Sequence, residues 1–378
     1  MSWSLVELGD LAEFINGFAF KPKDWQESGK KIIRIQNLTN PDKEYNLTEL
    51  DIPNKYNVTK GDILVSWSAT LDVFEWSRED ALLNQHIFKV VPDYEKVNKR
   101  YFKYALKKAI DSMLKFSRGS TMKHVNRGDF LGTRIPLPPL EEQKRIAAIL
   151  DKADRVRSKR QQAIDLADDF LRSVFLDMFG DPVSNPKGWK PAKMGDLIEF
   201  AKDGPHVSPK YSDSGIPFLS TRHVKPSGVV WEDLKYVSQE EADVHWKKCK
   251  PQKGDVLYTK GGTTGIACPV DFEKEFAVWV HVALVRPKPK LANHIWLTHM
   301  LNTKFCYQQS QRYTRGATNK DLGLKRMVDI EMYAPPIEEQ ERFVKVRENV
   351  LGLLSKFDES SSDSLFNSLS QSAFAGKL

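Results

Sequence analysis

The spacing of apolar residues changes several times along this chain. Up to residue 137, short β-branched or aromatic runs at 31–38, 62–67 and 86–91 stand between turn residues, and a helical spacing covers 99–114. Such runs predict strands, and with the helix they predict a mixed α/β segment. Beyond it, apolar or small residues recur at Ile146, Ile149, Ala153, Val156, Ala163, Ala167, Phe170 and Val174, interrupted by a charged Arg160. Steps of three, four and seven mark the stripe of a long amphipathic helix. From 181 the strand pattern returns, at 215–224, 255–260 and 277–286, with a helical stretch at 294–308. A second stripe follows through Phe343, Val346, Val350, Leu353 and Phe357, weakens at Ser360-Ser361-Ser362, and resumes at Leu365, Leu369 and Phe374.

Punctuation agrees with the periods. Pro138-Pro139 ends the first segment, and Glu141 and Glu142 then place negative charge where a helix start favours it. Gly180-Asp181-Pro182 is a stop signal, so the helix is expected to end near Phe179. About 38 residues at 1.5 Å each make a rod of roughly 57 Å. An amphipathic rod needs a partner for its apolar face. The second stripe starts after the second segment, so antiparallel packing on the first is the simplest arrangement. The expected fold class is therefore α+β: two mixed α/β domains, 1–137 and 181–334, separated by two long antiparallel helices, 138–180 and 335–378, in a coiled-coil-like spacer.

The chain also repeats itself. Trp3, Gly9-Asp10-Leu11 and Glu13-Phe14 return as Trp189, Gly195-Asp196-Leu197 and Glu199-Phe200, a shift of 186. Lys60-Gly61-Asp62 returns as Lys253-Gly254-Asp255, and Arg118-Gly119-x-Thr121-x-Lys123 as Arg315-Gly316-x-Thr318-x-Lys320. Pro138-Pro139-Leu140-Glu141-Glu142-Gln143-x-Arg145 returns as Pro335-Pro336-Ile337-Glu338-Glu339-Gln340-x-Arg342. Two copies of one unit stand head to tail, related by an approximate twofold axis, and can present two similar surfaces to one long partner or to two copies of one partner.

Composition narrows the chemistry. A length of 378 residues with 40% hydrophobic content supports two cores, and a net charge of +7 suits a polyanionic partner. Cys249, Cys268 and Cys306 are too few and too scattered for a disulfide framework or a zinc site, and read as reduced thiols of a cytoplasmic protein. The N-terminus lacks the pattern of a signal peptide, and the apolar run at 276–285 has the length of a buried strand, so no membrane role is expected. No catalytic or metal-ligating constellation is present, and residues 260–265 match neither the phosphate-loop nor the dinucleotide pattern.

Three places carry polar chemistry suited to nucleic acid. Arg118, Thr121 and Lys123, and their counterparts Arg315, Thr318 and Lys320, put cations and hydroxyls into short glycine loops. Lys260 and Thr263 sit in a glycine-rich loop near where a DNA phosphate could lie. Arg34, Gln36 and Asn37 align with Ser220, Arg222 and His223: like scaffolds with different polar tips, as two readers of different half-sites require. Each place also has a structural reading as an ordinary turn or exposed alternation. A protein-binding scaffold with coiled-coil arms remains the alternative.

With the repeat, the paired Pro-Pro-Leu/Ile-Glu-Glu-Gln motifs, the helix end at 175–182 and the tail containing Leu365-Phe366 and Ala373-Phe374, the chain resembles the specificity subunits of type I restriction–modification systems. That resemblance implies two target-recognition domains, each reading half of a bipartite double-stranded DNA site. It implies docking of two modification subunits, which would bind S-adenosylmethionine and methylate adenine at N6, and of restriction subunits. This chain itself would hold no cofactor. Glu141, Gln143, Arg145, Glu338, Gln340 and Arg342, in the repeated helix starts, are the candidate partner-binding residues. One departure stands out: Ser66-Trp67-Ser68-Ala69-Thr70 lacks the glycines of its counterpart at 260–265.

Overall fold

The structure, a computed structural model, describes residues 3–40, 42–68, 70–116, 127–356 and 362–378. It contains two compact units, residues 1–160 with 360–378, and residues 161–359.

In the first unit, continuous apolar runs become strands buried on both faces. Ile63, Leu64, Val65 and Ser66 are all inaccessible, and each such aliphatic side chain contributes about 1.5–3 kcal/mol. Their strand lies inside an antiparallel sheet of order Ala12–Asn16, Ile87–Pro92, Ile63–Ser66, Asp72–Glu75. A second sheet has the order Asn46–Thr48, Lys30–Ile33, Ala81–Leu83, Asn57–Val58, with a parallel pair at its centre. Ser4–Glu7 pairs with Arg134–Leu137 in a separate ribbon. The helix Lys99–Phe116 puts Tyr101, Phe102, Ala105, Leu106 and Ala109 into the core with Phe14, Phe88 and Phe130.

The second unit has the orders Ile198–Asp203, Val282–Pro287, Val256–Thr259, Ala267–Pro269 and Tyr211–Ser212, Lys235–Val237, Ile216–Leu219, Ala277–Val278, with a ribbon of Lys190–Lys193 and Glu331–Ala334. Its core gathers Trp296, Met300, Tyr258, Met327 and Phe343.

Several expected elements differ in detail. The strand expected over 31–38 stops at Ile33, and Ile35–Thr39 is a short helix, because the Asn37 side chain caps the turn. The run 277–286 divides into Ala277–Val278 and Val282–Pro287, which belong to different sheets. The helix expected over 294–308 breaks at Asn302-Thr303, where the Thr303 hydroxyl accepts the Cys306 N–H and starts a new helix.

The central helix runs from Leu140 to Phe179, forty residues, and Gly180 follows with φ +78°. In the first unit its early turns bury Ile146, Ala147, Leu150 and Ala153 against Phe366 and Ala373 of the helix Ser362–Phe374. Arg157 lies over the Phe366 ring at 4.7 Å, and the Tyr104 hydroxyl donates to Asp151 at 2.8 Å. In the second unit its last turns bury Phe175 and Phe179 against Phe343, near the start of the helix Ile337–Ser355, with ring centroids 5.2 and 5.9 Å apart. Phe170, expected in the seam, is half exposed, and Leu171, Phe175 and Phe179 take the buried face instead. A helix of 3.6 residues per turn drifts out of step with a 3.5-residue stripe, and here the late contacts follow steps of four.

Candidate nucleic-acid interface

The first candidate surface is the turn that follows the central strand of each second sheet. In the first unit Arg34 caps the short helix with its backbone N–H held by Asn37 Oδ1 at 3.0 Å. The Asn37 amide donates to the carbonyls of Lys43 and Glu44 at 3.0 and 3.1 Å, and the side chain is completely buried. Asn37 was a candidate base reader; its hydrogen bonds are all made inside the fold, so it positions the turn. Gln36, one residue earlier, is exposed. The Arg34 guanidinium donates to Asn46 Oδ1 at 3.2 Å and lies 5.6 Å over the Trp25 ring.

The second unit repeats the device with different residues. The Ser220 N–H donates to His223 Nδ1 at 2.9 Å, and His223 is buried. Burial first, and then the Arg222 charge, hold its pKa below the usual histidine value, so the neutral ring keeps its acceptor. His223 therefore also leaves the set of base readers for the same reason as Asn37. Arg222 is exposed, with its Nε–H donating to His223 Nε2 at 3.1 Å and an Nη2–H to the Asp233 carbonyl at 2.8 Å. It borders a shallow cavity of about 240 Å³ lined also by Tyr211, Phe218, Ser220, Lys235 and Trp279. The Lys235 ammonium sits 4.2 Å over the Tyr211 ring. Trp25, Asn46, Tyr211 and Lys235 were not singled out in the sequence. Trp25 and Tyr211 share the 186 shift of the repeat, which could have found them; Asn46 and Lys235 lie beyond a loop of different length and needed the strand register.

The second surface joins two loops of the second unit. Gly262 N–H donates to the Lys320 carbonyl at 3.0 Å, Leu322 N–H to the Lys260 carbonyl at 2.7 Å, and Arg315 and Asp321 exchange backbone hydrogen bonds. Thr263, Arg315, Thr318 and Lys320 are thereby brought together, and all four are exposed. Gly316 has φ +91°, and a Cβ there would stand 2.2 Å from the Asn319 carbonyl oxygen, so this turn requires glycine. Lys260 is a correction. It is buried, with its ammonium 3.1 Å from Asp321 and 3.4 Å from Asp203, and it ties the loops together from beneath. Burial pushes the Asp203 pKa up, but the Lys248 hydrogen bond and the charges of Lys248 and Lys260 outweigh it and hold the carboxylate below its ordinary value. Gly261 and Gly265 pack on His281 and Ser310, while Gly262 and Thr263 between them are exposed. Arg118, Thr121 and Lys123 lie outside the described residues.

The helix starts divide likewise. Gln143 accepts the Asn98 N–H at 2.7 Å and donates to the carbonyls of Lys96 and Pro138 at 3.1 and 2.8 Å. Gln340 accepts the Asn293 N–H at 2.8 Å and donates to Leu291 and Pro335 at 3.0 and 2.9 Å. Both are buried. Expected to bind partners, they instead clamp each long helix to the helix start of its own globular part. Glu141, Arg145, Glu338 and Arg342 are exposed, Arg145 pairing with Glu142 at 2.7 Å and donating to the Leu378 carbonyl at 2.9 Å, and Arg342 pairing with Glu339 at 2.9 Å.

Among the described residues, no group of three or more His, Cys, Asp or Glu side chains could hold a metal, and no helix is long and apolar enough to cross a membrane. What remains is a module built in the same way in two parts of one chain. Each part uses a rigid sheet and a capped turn to hold polar and cationic tips toward solvent, which is the build of a nucleic-acid reader.

Comparison with known proteins agrees. The family model for the type I restriction modification DNA specificity domain matches residues 1–166 and again 186–357. The specificity subunit of the type I restriction enzyme EcoBI of Escherichia coli is 25% identical, over 100% of this chain and 86% of that protein. The putative MjaX specificity subunit of Methanocaldococcus jannaschii is 23% identical over 91% of this chain and 85% of that protein. In fold, the chain is similar to the crystal structure of the S subunit of a type I restriction–modification system from M. genitalium, with a TM-score of 0.56 and 14% identity over 98% of this chain and 96% of that one. The chain belongs to the type I restriction–modification DNA specificity family. It is a non-catalytic component whose role is to supply DNA sequence specificity to a restriction–modification complex.

Proposed function

We propose that the chain reads a bipartite double-stranded DNA site, one half with residues 1–137 and the other with 181–334, and that 138–180 and 335–378 form an antiparallel spacer that sets the gap. The observation that carries this reading is the repeated turn: Asn37 and His223 fix the backbone alike, while the exposed tips beside them, Gln36 and Arg222, differ. An equal scaffold with unequal tips is what two half-sites of different sequence require. The spacer is supported within each unit: early turns of the central helix meet the last helix, and its late turns meet the start of Ile337–Ser355. Gln36 and Arg222 approach base edges, with Arg34 held beside Gln36 by Asn46 and Trp25; Thr263, Arg315, Thr318 and Lys320 approach phosphates, and Arg118, Thr121 and Lys123 do the same by their place in the repeat.

In this reading two modification subunits dock on the repeated helix starts through Glu141, Arg145, Glu338 and Arg342, and restriction subunits join them in the cytoplasm. S-adenosylmethionine belongs to the modification subunits, which transfer the methyl group to adenine N6. Mapping N6-methyladenine across the source genome with and without this gene tests the proposal. Loss of the mark at a split, asymmetric motif is the expected result; an unchanged map, with the modification subunits expressed, overturns it.

A further inference from the structure

The strand register locates an equivalence that the loops conceal in the sequence. In the first unit Lys30 lies opposite Thr48 and Ile32 opposite Asn46, with Gln26 bridged to Leu47. In the second, Ile216 lies opposite Val237 and Phe218 opposite Lys235, with Ser212 opposite Tyr236. The parallel neighbours correspond as well, Ile32 with Leu82 and Phe218 with Ala277. Asn46 and Lys235 therefore occupy one register position, and Trp25 and Tyr211 another, beside the turn that carries Gln36 or Arg222.

Each group of three has the same plan. An aromatic ring, 39% exposed at Trp25 and 43% at Tyr211, stands beside the turn. A cation lies over the ring: Arg34 at 5.6 Å in one unit and Lys235 at 4.2 Å in the other. The hairpin residue reaches toward the same place, Asn46 through its hydrogen bond with Arg34 and Lys235 through its seat on Tyr211. In the second unit the group encloses the cavity beside Arg222. The floor beneath is rigid, because Ile32 and Phe218 are buried.

We propose that Trp25, Gln36 and Asn46 in the first unit, and Tyr211, Arg222 and Lys235 in the second, are the specificity-determining sets, and that they select different bases. This rests on the reading that the chain recognises a split DNA site. A glutamine side chain matches the N6 donor and N7 acceptor of adenine, whereas a guanidinium matches the O6 and N7 acceptors of guanine. In the first unit the exposed Gln36 and the half-buried Asn46 carry the amides, while the Arg34 guanidinium is held by Asn46 and lies over Trp25; that half-site contains an adenine read by Gln36. In the second, Arg222 and Lys235 supply only donors, and His223 and the Asp233 carbonyl hold the Arg222 guanidinium through Nε and Nη2, so that its remaining N–H groups are aimed from a fixed position; that half-site contains a guanine read by Arg222. Trp25 lies under the Arg34 guanidinium and Tyr211 under the Lys235 ammonium, so the two rings are positioning residues.

The test uses the full chain in complex with its modification subunits. Methylation mapping first defines the wild-type motif, and competition binding then ranks duplexes carrying each of the four bases at every position of both half-sites. Arg222→Gln is expected to lower the preference for one guanine by roughly ten- to a hundredfold and leave the other half-site unchanged. Gln36→Arg is expected to do the same at one adenine of the first half. Lys235→Ala and Tyr211→Phe report on the second half alone, Lys235→Ala weakening the same guanine preference and Tyr211→Phe, which keeps the ring, retaining it. A split wild-type motif whose base preferences survive Arg222→Gln and Gln36→Arg overturns this inference and leaves the proposed function standing. Weakening that is uniform over all four bases also overturns it, because that is the signature of a phosphate contact. A wild-type complex with no split motif overturns the proposed function itself.

Discussion

The two clamp glutamines give the sharpest residue-level expectation. Each satisfies one buried N–H and two carbonyls, and a leucine of similar size would leave those groups without partners. Gln143→Leu or Gln340→Leu should each lower stability by about 3 kcal/mol, read from urea unfolding. A loss below about 0.5 kcal/mol, the size of an ordinary surface change, would show that the clamp is not structural. His299 provides a pH dependence. It is enclosed by Phe175 and Phe343, and burial, with the charges of Arg347 and Arg172, lowers its pKa from 6.5 to about 4. The unfolded chain therefore binds the proton first on acidification. The stability tied to the neutral ring is present above pH 6.5 and is lost between there and pH 4, by about 2 kcal/mol on going from pH 7 to pH 5. His299→Phe should flatten this part of the curve; an equally steep acid loss in the variant would assign it to other groups.

At the scale of elements, the sequence was most legible where a period ran long. The central helix was expected to end near Phe179 and ends at Phe179, since a stripe over many turns and a Gly-Asp-Pro stop are both local signals. The turn after Ile33 was not legible, because Ile35 and Leu38 continue an apolar pattern and only the inward rotation of Asn37 breaks the strand. The same holds for the site. Arg315, Thr318 and Lys320 were found as exposed loop chemistry, but Lys260 looked the same in sequence and is buried by Asp203 and Asp321, carboxylates brought in by the tertiary fold. The proposed spacer makes its own prediction. Removing seven residues from both the central helix and the returning helix shortens each by about 10 Å, close to three base pairs of DNA. The methylated motif should keep both half-sites and lose about three base pairs from its gap, as methylation mapping would show. A gap of unchanged length would mean that something else measures it.

For the whole molecule, the proposed division between base and phosphate contacts predicts variants that lose affinity without losing specificity. Arg315→Ala and Lys320→Ala should weaken binding to all duplexes alike and each reduce the salt slope by about one, while leaving the motif intact. Titrations of the complex at several salt concentrations would measure this, and a change in base preference would move these residues into the reading set.

The helix Ser362–Phe374 belongs to the first compact unit although the second unit is synthesised before it. Phe366 and Ala373 are part of the core built by residues 8–153. A ribosome that has finished residue 160 must add about 200 more before that core is complete, a wait of roughly ten to forty seconds at ordinary elongation rates. During this time the aromatic face formed by Tyr101 and Tyr104 has no cover from Phe374 and Phe366. The half of the protein made first is thus the half finished last, and a nascent chain interrupted late in translation carries an open first core beside a second one already closed.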